Sequence, residues 1–200
     1  MVEQNVDLNL FFPTPVWTSI IKNYETLNQD MYNYIQLLKS NNSQGNQKSN
    51  IKGWHSDDFD LQNPTIGNFV NHISFNLNKT FNDMNWDLKN QKIKITNMWT
   101  IINKKEALNG RHIHGNSFIS AAYYLRAPKN CGNIVFYDPR SAPSFSHPKS
   151  NTPNNLNATS HSIEPKEGLL VLFPSYLHHS VEPNMSNEER VVISFNINLK

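Results

Sequence analysis

The sequence is poor in cysteine, in arginine and in long apolar runs. Cys131 is the one cysteine in 200 residues. It cannot form an internal disulfide, which fits a reducing, cytoplasmic compartment. No apolar run approaches the roughly 18 to 20 residues that cross a bilayer as a helix. The opening MVEQNVDLNLFF lacks a basic n-region, an apolar h-region and a small-residue cleavage site. A signal peptide and a membrane partner are therefore not expected. Charge of one sign is scarce too: 18 Lys and Arg against 16 Asp and Glu leave a formal +2. That balance argues against a nucleic-acid binder working through a broadly basic surface. Heptads and internal repeats are missing, which excludes coiled coils and solenoids. Only four residues are arginine, at 111, 126, 140 and 190, against 14 lysines, and asparagine numbers 31. This bias matches the codon usage of an AT-rich genome and makes each remaining arginine worth a question.

What is present suffices for one packed domain: 38% hydrophobic residues, 11% aromatic. Leu27, Met31, Tyr34, Ile35 and Leu38 recur at three- and four-residue steps, predicting a helix over 25–38. The polar stretch 40–50 reads as a loop. Asn63-Pro64 opens a second helix whose face runs Ile66, Phe69, Val70, Ile73, Leu77, Phe81 and Met84. Residues 16–21, flanked by Pro13 and Pro15, read as an edge strand. Beyond residue 90 the period drops to two, with strands expected near 93–102, 117–126, 133–138, 160–164, 169–173, 178–182 and 190–199. The fold class is α+β: a helical support region over 1–90 and a β sandwich or barrel over 91–200. A loop at 139–159 with four prolines is long enough to suggest a lid or substrate clamp.

Histidine is the informative residue. Eight occur, and four fall in two groups, His112-Ile113-His114 and His178-His179. Residues i and i+2 of a strand point to one side, so H-x-H at a strand lip can offer two imidazoles to one metal ion. A third histidine from a distant strand would complete a facial set suited to iron, zinc, copper or nickel. A histidine alone in a strand is ordinarily a satisfied or solvent-facing side chain. His55, His72, His147 and His161 are read that way.

The surroundings of His179 narrow the choice. Gly168, the apolar run to Phe173, His179-Ser180-Val181-Glu182-Pro183 and then Arg190 resemble the 2-oxoglutarate/Fe(II)-dependent oxygenases, specifically the prolyl-hydroxylase-like branch. Upstream, His112-Ile113-His114 and Phe118-Ile-Ser-Ala-Ala-Tyr-Tyr-Leu125 stand where that family has His-x-Asp and its next strand. Together with Phe136-Tyr-Asp-Pro-Arg140, the set is similar to a little-characterised group of such oxygenases from marine bacteria and their phages, in which H-x-H is the norm. The resemblance covers roughly 90–200, and more weakly Phe11-Pro-Thr-Pro and Gly53-Trp54. It implies a double-stranded β-helix (jelly roll, cupin-like) with supporting N-terminal helices. It further implies Fe(II) on His112, His114 and His179, with 2-oxoglutarate held at its distal end by Arg190 and Tyr124 with Ser194 alongside. The activity implied is hydroxylation of a C–H bond with O2, the leading substrate class being a peptidyl proline. Where the family carries Asp, this chain offers His114, Asn116 in a shifted alignment, or Asp138.

The last strand supports a polar lumen without the family. Arg190, Val192, Ser194 and Asn196 alternate with the wholly apolar Val191, Ile193, Phe195 and Ile197. Arginine suits a dicarboxylate because its planar fork pairs a carboxylate through two hydrogen bonds; otherwise Arg190 would pair at the surface with Glu188 or Glu189. Phe118, Ser120, Ala122 and Tyr124 share a face in the same way. Asp138 could act in the second shell of the metal or cap a turn before Pro139, and Arg140 could meet substrate at the mouth. Arg111 and Arg126 read as structural or solvent-facing, and Trp54, Trp99 and Tyr176 as core or rim aromatics. Two rivals stay open: a cupin-like three-His metal protein without 2-oxoglutarate, and a non-catalytic jelly roll with a binding or structural role. Whether Arg190 reaches the histidine lumen separates the first from the main reading. The partners expected are O2, 2-oxoglutarate and a peptide, protein or small-molecule substrate. Nucleic acid is not expected. A strand-rich domain of this kind often forms a homodimer, though no heptad or apolar run marks an interface.

Overall fold

The computed structural model describes residues 5–141 and 148–200. Its elements run β1 (Trp17–Ile20), α1 (Tyr24–Asn41), β2 (Asn50–Ile51), β3 (Trp54–His55), α2 (Pro64–Asp83), β4 (Ile93–Asn103), β5 (Leu108–His112), β6 (Ile119–Arg126), β7 (Ile134–Tyr137), β8 (Ser160–Ile163), β9 (Leu169–Pro174), β10 (His179–Val181) and β11 (Arg190–Leu199). One sheet has the order β1-β9-β6-β11-β4-β3 and the other β2-β5-β10-β7-β8. Every recorded pairing is antiparallel. Two such sheets with two helices laid on the larger make a double-stranded β-helix of the α+β class. Among the described residues no helix is long and apolar enough to cross a membrane.

The two-residue period of the strands decides what packs where. On β11, Val191, Ile193, Phe195 and Ile197 join Met31 and Ile35 of α1 and Ile66, Phe69 and Ile73 of α2 in the core between sheet and helices. Val192 turns the other way, into a second cluster between the sheets with Ala122, Tyr124, Val171 and Phe173. Adjacent tyrosines on β6 split likewise. Tyr123 faces the helices, its hydroxyl donating to Asn28 Oδ1 at 2.6 Å, while Asn28 Nδ2 donates to the Leu125 carbonyl at 2.8 Å. That pair ties α1 to β6 and leaves Tyr124 to the lumen.

The expected edge strand is β1, which pairs with β9 on the rim of the larger sheet. The second helix begins where Asn63 caps it, its side chain accepting from Thr65 N at 2.9 Å, with proline in the first turn. Three strands lie outside the expected set. β2 and β3 are two-residue pairings off the 40–50 loop, and β5 reads Leu-Asn-Gly-Arg-His, a sequence with few strand formers. Pairing to β2 and β10 makes it a strand. Of the 139–159 loop, residues 142–147, including His147, lie outside the described residues.

Phe195 is fully buried and meets Phe69 edge-on at 6.1 Å. Phe195→Ala is expected to lower unfolding stability by ~3–5 kcal/mol, and Phe195→Leu by markedly less, in urea denaturation.

Candidate metal and cosubstrate site

Three histidines from two strands and a turn converge at one end of the lumen. His112 closes β5 and is the register partner of His179 on β10, their ring centroids 4.3 Å apart. His114 lies just past β5, where its backbone N–H donates to the Ser175 carbonyl at 3.0 Å. Its ring stands 5.2 Å from His112 and 5.1 Å from His179. One ring nitrogen from each lies within 4.8 Å of the others. Nitrogens about 2.1 Å from one ion on a face lie about 3 Å apart, so the three rings are near enough to be candidates for one metal ion.

The tautomers favour ligation. His112 Nδ1 sits 2.7 Å from the Gly110 carbonyl and His179 Nδ1 2.9 Å from the Leu177 carbonyl. A carbonyl only accepts, so Nδ1 carries the proton in both rings and Nε2 keeps its lone pair. The Asn196 amide lies beside the His114 ring and opposes the lowering of its pKa. That amide is fixed in turn: Oδ1 accepts from Ser120 Oγ at 2.8 Å, and Nδ2 donates to Asn97 Oδ1 at 3.1 Å. Burial, reinforced by His112, pushes His114 down to about 4 and His179 down to about 3. Burial also lowers His112. All three are neutral imidazoles near pH 7, the form a metal requires.

Arg190 stands at the other end of the same space. It is 1% exposed. Its Nη1 donates to the carbonyls of Cys131, of Gly132 at 3.3 Å and of Glu182 at 3.0 Å. Its Nη2 has no partner among the described residues. Glu189 pairs instead with Lys39 at 3.4 Å, so the surface ion pair is not formed. Gly132 enables the clamp: at φ +85°, any Cβ there would meet the Glu182 and Pro183 carbonyl oxygens at 2.5 and 2.6 Å. Burial holds the Tyr124 hydroxyl above its ordinary pKa against the opposing pull of Arg190, which keeps it a neutral donor.

One cavity of about 810 Å3 is lined by His112, His114, His179, Tyr124, Arg190 and Ser194 together. Arg190 therefore reaches the histidine lumen. Asp58 is the single acid among its described lining residues, against Lys48, Arg111 and Arg190, so the space favours an anion. The remaining candidates lie elsewhere. Asn116 is exposed, in a left-handed turn at φ 59°. Asp138 holds Arg140 through Oδ1 to Nε at 3.0 Å and Oδ2 to Nη2 at 2.8 Å, and neither lines the cavity. Arg111 lies 4.2 Å over the Tyr137 ring and borders the cavity. Arg126 lies 3.6 Å over Tyr32. Two residues were not anticipated: His55 and Trp99 both line the cavity and stack at 5.7 Å. The alternation Asn97, Trp99, Ile101, Asn103 on β4 was the available signal for Trp99.

Neutral nitrogen donors at one end and an unpaired guanidinium N–H at the other, within a double-stranded β-helix, define the class of metal-dependent oxygenases that take a dicarboxylate cosubstrate. The family model described as "Putative 2OG-Fe(II) oxygenase" matches residues 97–196, and the chain belongs to that family. It is thus a 2-oxoglutarate-dependent dioxygenase that uses Fe(II), O2 and 2-oxoglutarate, and the residues present fit both metal and cosubstrate. Among solved structures it is similar to a Pseudomonas putida prolyl-4-hydroxylase (14% identity, 92% of each chain, TM-score 0.64). It is similar too to the viral collagen prolyl hydroxylase of Paramecium Bursaria Chlorella virus-1 in its 2OG complex (14%, 91% of this chain and 94% of that one, 0.57). A third is HygX from Streptomyces hygroscopicus with nickel and 2-oxoglutarate (11%, 92% and 82%, 0.61). At these identities the likeness is one of fold. No curated protein sequence matches the chain.

The lowered histidines set a pH dependence for the metal-free protein. In the unfolded chain they protonate near 6.5; in the folded protein, only near 4 for His114 and near 3 for His179. Between those limits the unfolded state binds more protons. Stability is therefore full above about pH 6.5 and falls as pH drops below it, levelling only beneath the folded values. Urea midpoints of metal-free protein between pH 7.5 and 4.5 should show this slope, shallower in His179→Gln.

Proposed function

We propose that His112, His114 and His179 hold Fe(II) through Nε2, and that Arg190, Tyr124 and Ser194 hold the far end of 2-oxoglutarate, in an enzyme that hydroxylates a C–H bond. The observation that carries this is that Arg190, whose Nη2 has no partner among the described residues, lines the same cavity as the three histidines. When bound, metal and cosubstrate supply the oxidising chemistry: O2 converts 2-oxoglutarate to succinate and CO2 and yields an oxidant able to break a C–H bond. The chain does the rest. Three carbonyls engage Nη1 of the guanidinium and leave Nη2 for the distal carboxylate. Tyr124 donates its hydroxyl proton to the same carboxylate and Ser194 lies alongside. Phe173, Val192 and Ile134 wall the space and keep water from the reacting end.

Lys48, Asp58 and Arg111 border the same cavity, on the side we assign to substrate. Asp138 and Arg140 are engaged with each other at the root of the 139–159 loop and lie outside that lining, so their proposed part is to anchor the loop, with the loop as clamp, rather than to touch substrate. A peptidyl proline is the substrate class favoured by the prolyl-hydroxylase-like motifs, with two prolyl hydroxylases among the similar folds. The lone cysteine fits the cytoplasm of a bacterium, or of a host if the gene is carried by a phage. Peptides or small molecules, rather than nucleic acid or membrane, fit the near-neutral charge, and a homodimer is compatible with the strand-rich fold.

Anaerobic calorimetric titration of Fe(II)-loaded protein with 2-oxoglutarate should show one site per chain. Arg190→Lys, which keeps the charge but loses the fork, should weaken it about tenfold or more. His179→Ala should abolish metal retention and succinate release. A metal-loaded wild-type protein that binds no 2-oxoglutarate would sink the assignment.

A further inference from the structure

Five buried side-chain polar atoms lack a hydrogen-bond partner among the described residues, and three belong to residues lining the histidine cavity: Trp99 Nε1, Asn103 Oδ1 and Arg190 Nη2. A buried N–H without an acceptor costs about 1–3 kcal/mol, and folded interiors rarely leave one. Asn103 Oδ1 packs against the Gly53 backbone; for the other two, a place on the cavity wall points to partners that a ligand brings. The proposed cosubstrate accounts for Arg190. Nothing so far accounts for Trp99.

Trp99 is placed at the metal end. It is the register partner of Ser194 on β11, four residues along from the Arg190–Asn103 pair and so roughly 13 Å away along the strand. Its indole stacks on His114 at 5.7 Å and 21°, and on His55 at 5.7 Å and 11°. His55 is itself fixed: its Nδ1 donates to the Ser56 carbonyl at 2.7 Å, and Ser56 Oγ accepts from the Thr100 N–H at 3.0 Å. Thr100 follows Trp99 directly, so the stack is tethered to the strand that carries the indole. Trp99 is 7% exposed, which leaves the ring little freedom to turn its N–H elsewhere. The other two tryptophan N–H groups with recorded partners bond to protein, Trp17 to Asp83 and Trp54 to the Asn42 carbonyl.

We infer that the Trp99 indole N–H binds the cosubstrate, donating a hydrogen bond to an oxygen of the C1 carboxylate of 2-oxoglutarate beside His114. This rests on the assignment of the cavity as the 2-oxoglutarate site. With Arg190 and Tyr124 on the distal carboxylate, the end bearing C1 and the keto group lies by the histidines. Trp99 is the buried donor without a partner there. The bond is charge-assisted and made in a cavity walled by Phe173 and Val192. It also gives His55 a task, that of a positioning residue for the indole plane.

The test uses Zn(II)-loaded full-length protein with two probes, 2-oxoglutarate and pyruvate, which has the C1 carboxylate and keto group but no distal carboxylate. Trp99→Phe keeps an aromatic face and deletes the N–H. It should weaken both probes about tenfold, equal to about 1.4 kcal/mol, while Arg190→Lys weakens 2-oxoglutarate alone. In the wild-type protein, the Trp99 indole N–H signal in 1H–15N spectra should move downfield with either probe, a readout that does not depend on the variant folding. The inference is overturned if Trp99→Phe, with unchanged melting and metal content, binds 2-oxoglutarate within twofold of wild type. It is equally overturned if the wild-type indole signal stays put as 2-oxoglutarate saturates. Failure of wild-type protein to bind 2-oxoglutarate at all is a different result, and removes the assignment of the site itself.

Discussion

A strand shows its side chains alternately to two faces, and on β11 that constraint separates a greasy layer from a chemical one. Val191, Ile193, Phe195 and Ile197 lie against the helices; Arg190, Val192, Ser194 and Asn196 lie towards the other sheet. Because β11 sits between β4 and β6, both neighbours inherit the division. Tyr123 and Tyr124 divide in that way, as do Met98 and Trp99. A one-residue slip would put the guanidinium among the helix side chains and four apolar groups into the lumen. The long pairing with β4, from Arg190 opposite Asn103 to Leu199 opposite Ile93, protects against such a slip.

The donor set of the site carries no charge of its own. Where a related motif would place a carboxylate, His114 stands as a third imidazole, beside an Asn196 amide that is itself fixed in a network with Asn97, Ser120 and Ser175. Lys48, Arg111 and Arg190 against Asp58 add positive charge to the walls. A doubly negative cosubstrate is therefore the chief counter-charge available to a divalent ion there. Metal and dicarboxylate should accordingly strengthen one another's binding more than in a site with a carboxylate ligand.

Periodicity made the two helices and the long strands legible, because burial on one face leaves a repeating apolar pattern. The H-x-H pair, His179 and Arg190 were legible as residue types in order. What composition could not reveal was pairing. Leu108-Asn-Gly-Arg-His112 is a strand only because β2 and β10 lie on either side of it, and no local preference announces that. Asp138 read as a spare carboxylate, but the bidentate grip of Arg140 depends on a turn two residues long. His55 looked like any solitary histidine, since its neighbour Trp99 is 44 positions away in sequence. The open valence of Arg190 is likewise a matter of three-dimensional supply: which carbonyls arrive, and how many.

Those carbonyls come from Cys131, Gly132 and Glu182, and they are main-chain atoms. Exchanging the side chain at 131 or 182 deletes none of these acceptors, although the Glu182 carboxylate also accepts from the Asn133 N–H at 2.9 Å and so helps to tie the two segments together. Gly132 is the stricter case. Any side chain there would force apart the two segments whose oxygens grip the guanidinium. The seat of this guanidinium thus hangs on a residue with no side chain, outside the described lining of the cavity, and a lineage that lost it would disturb Arg190 without altering a residue that lines that cavity.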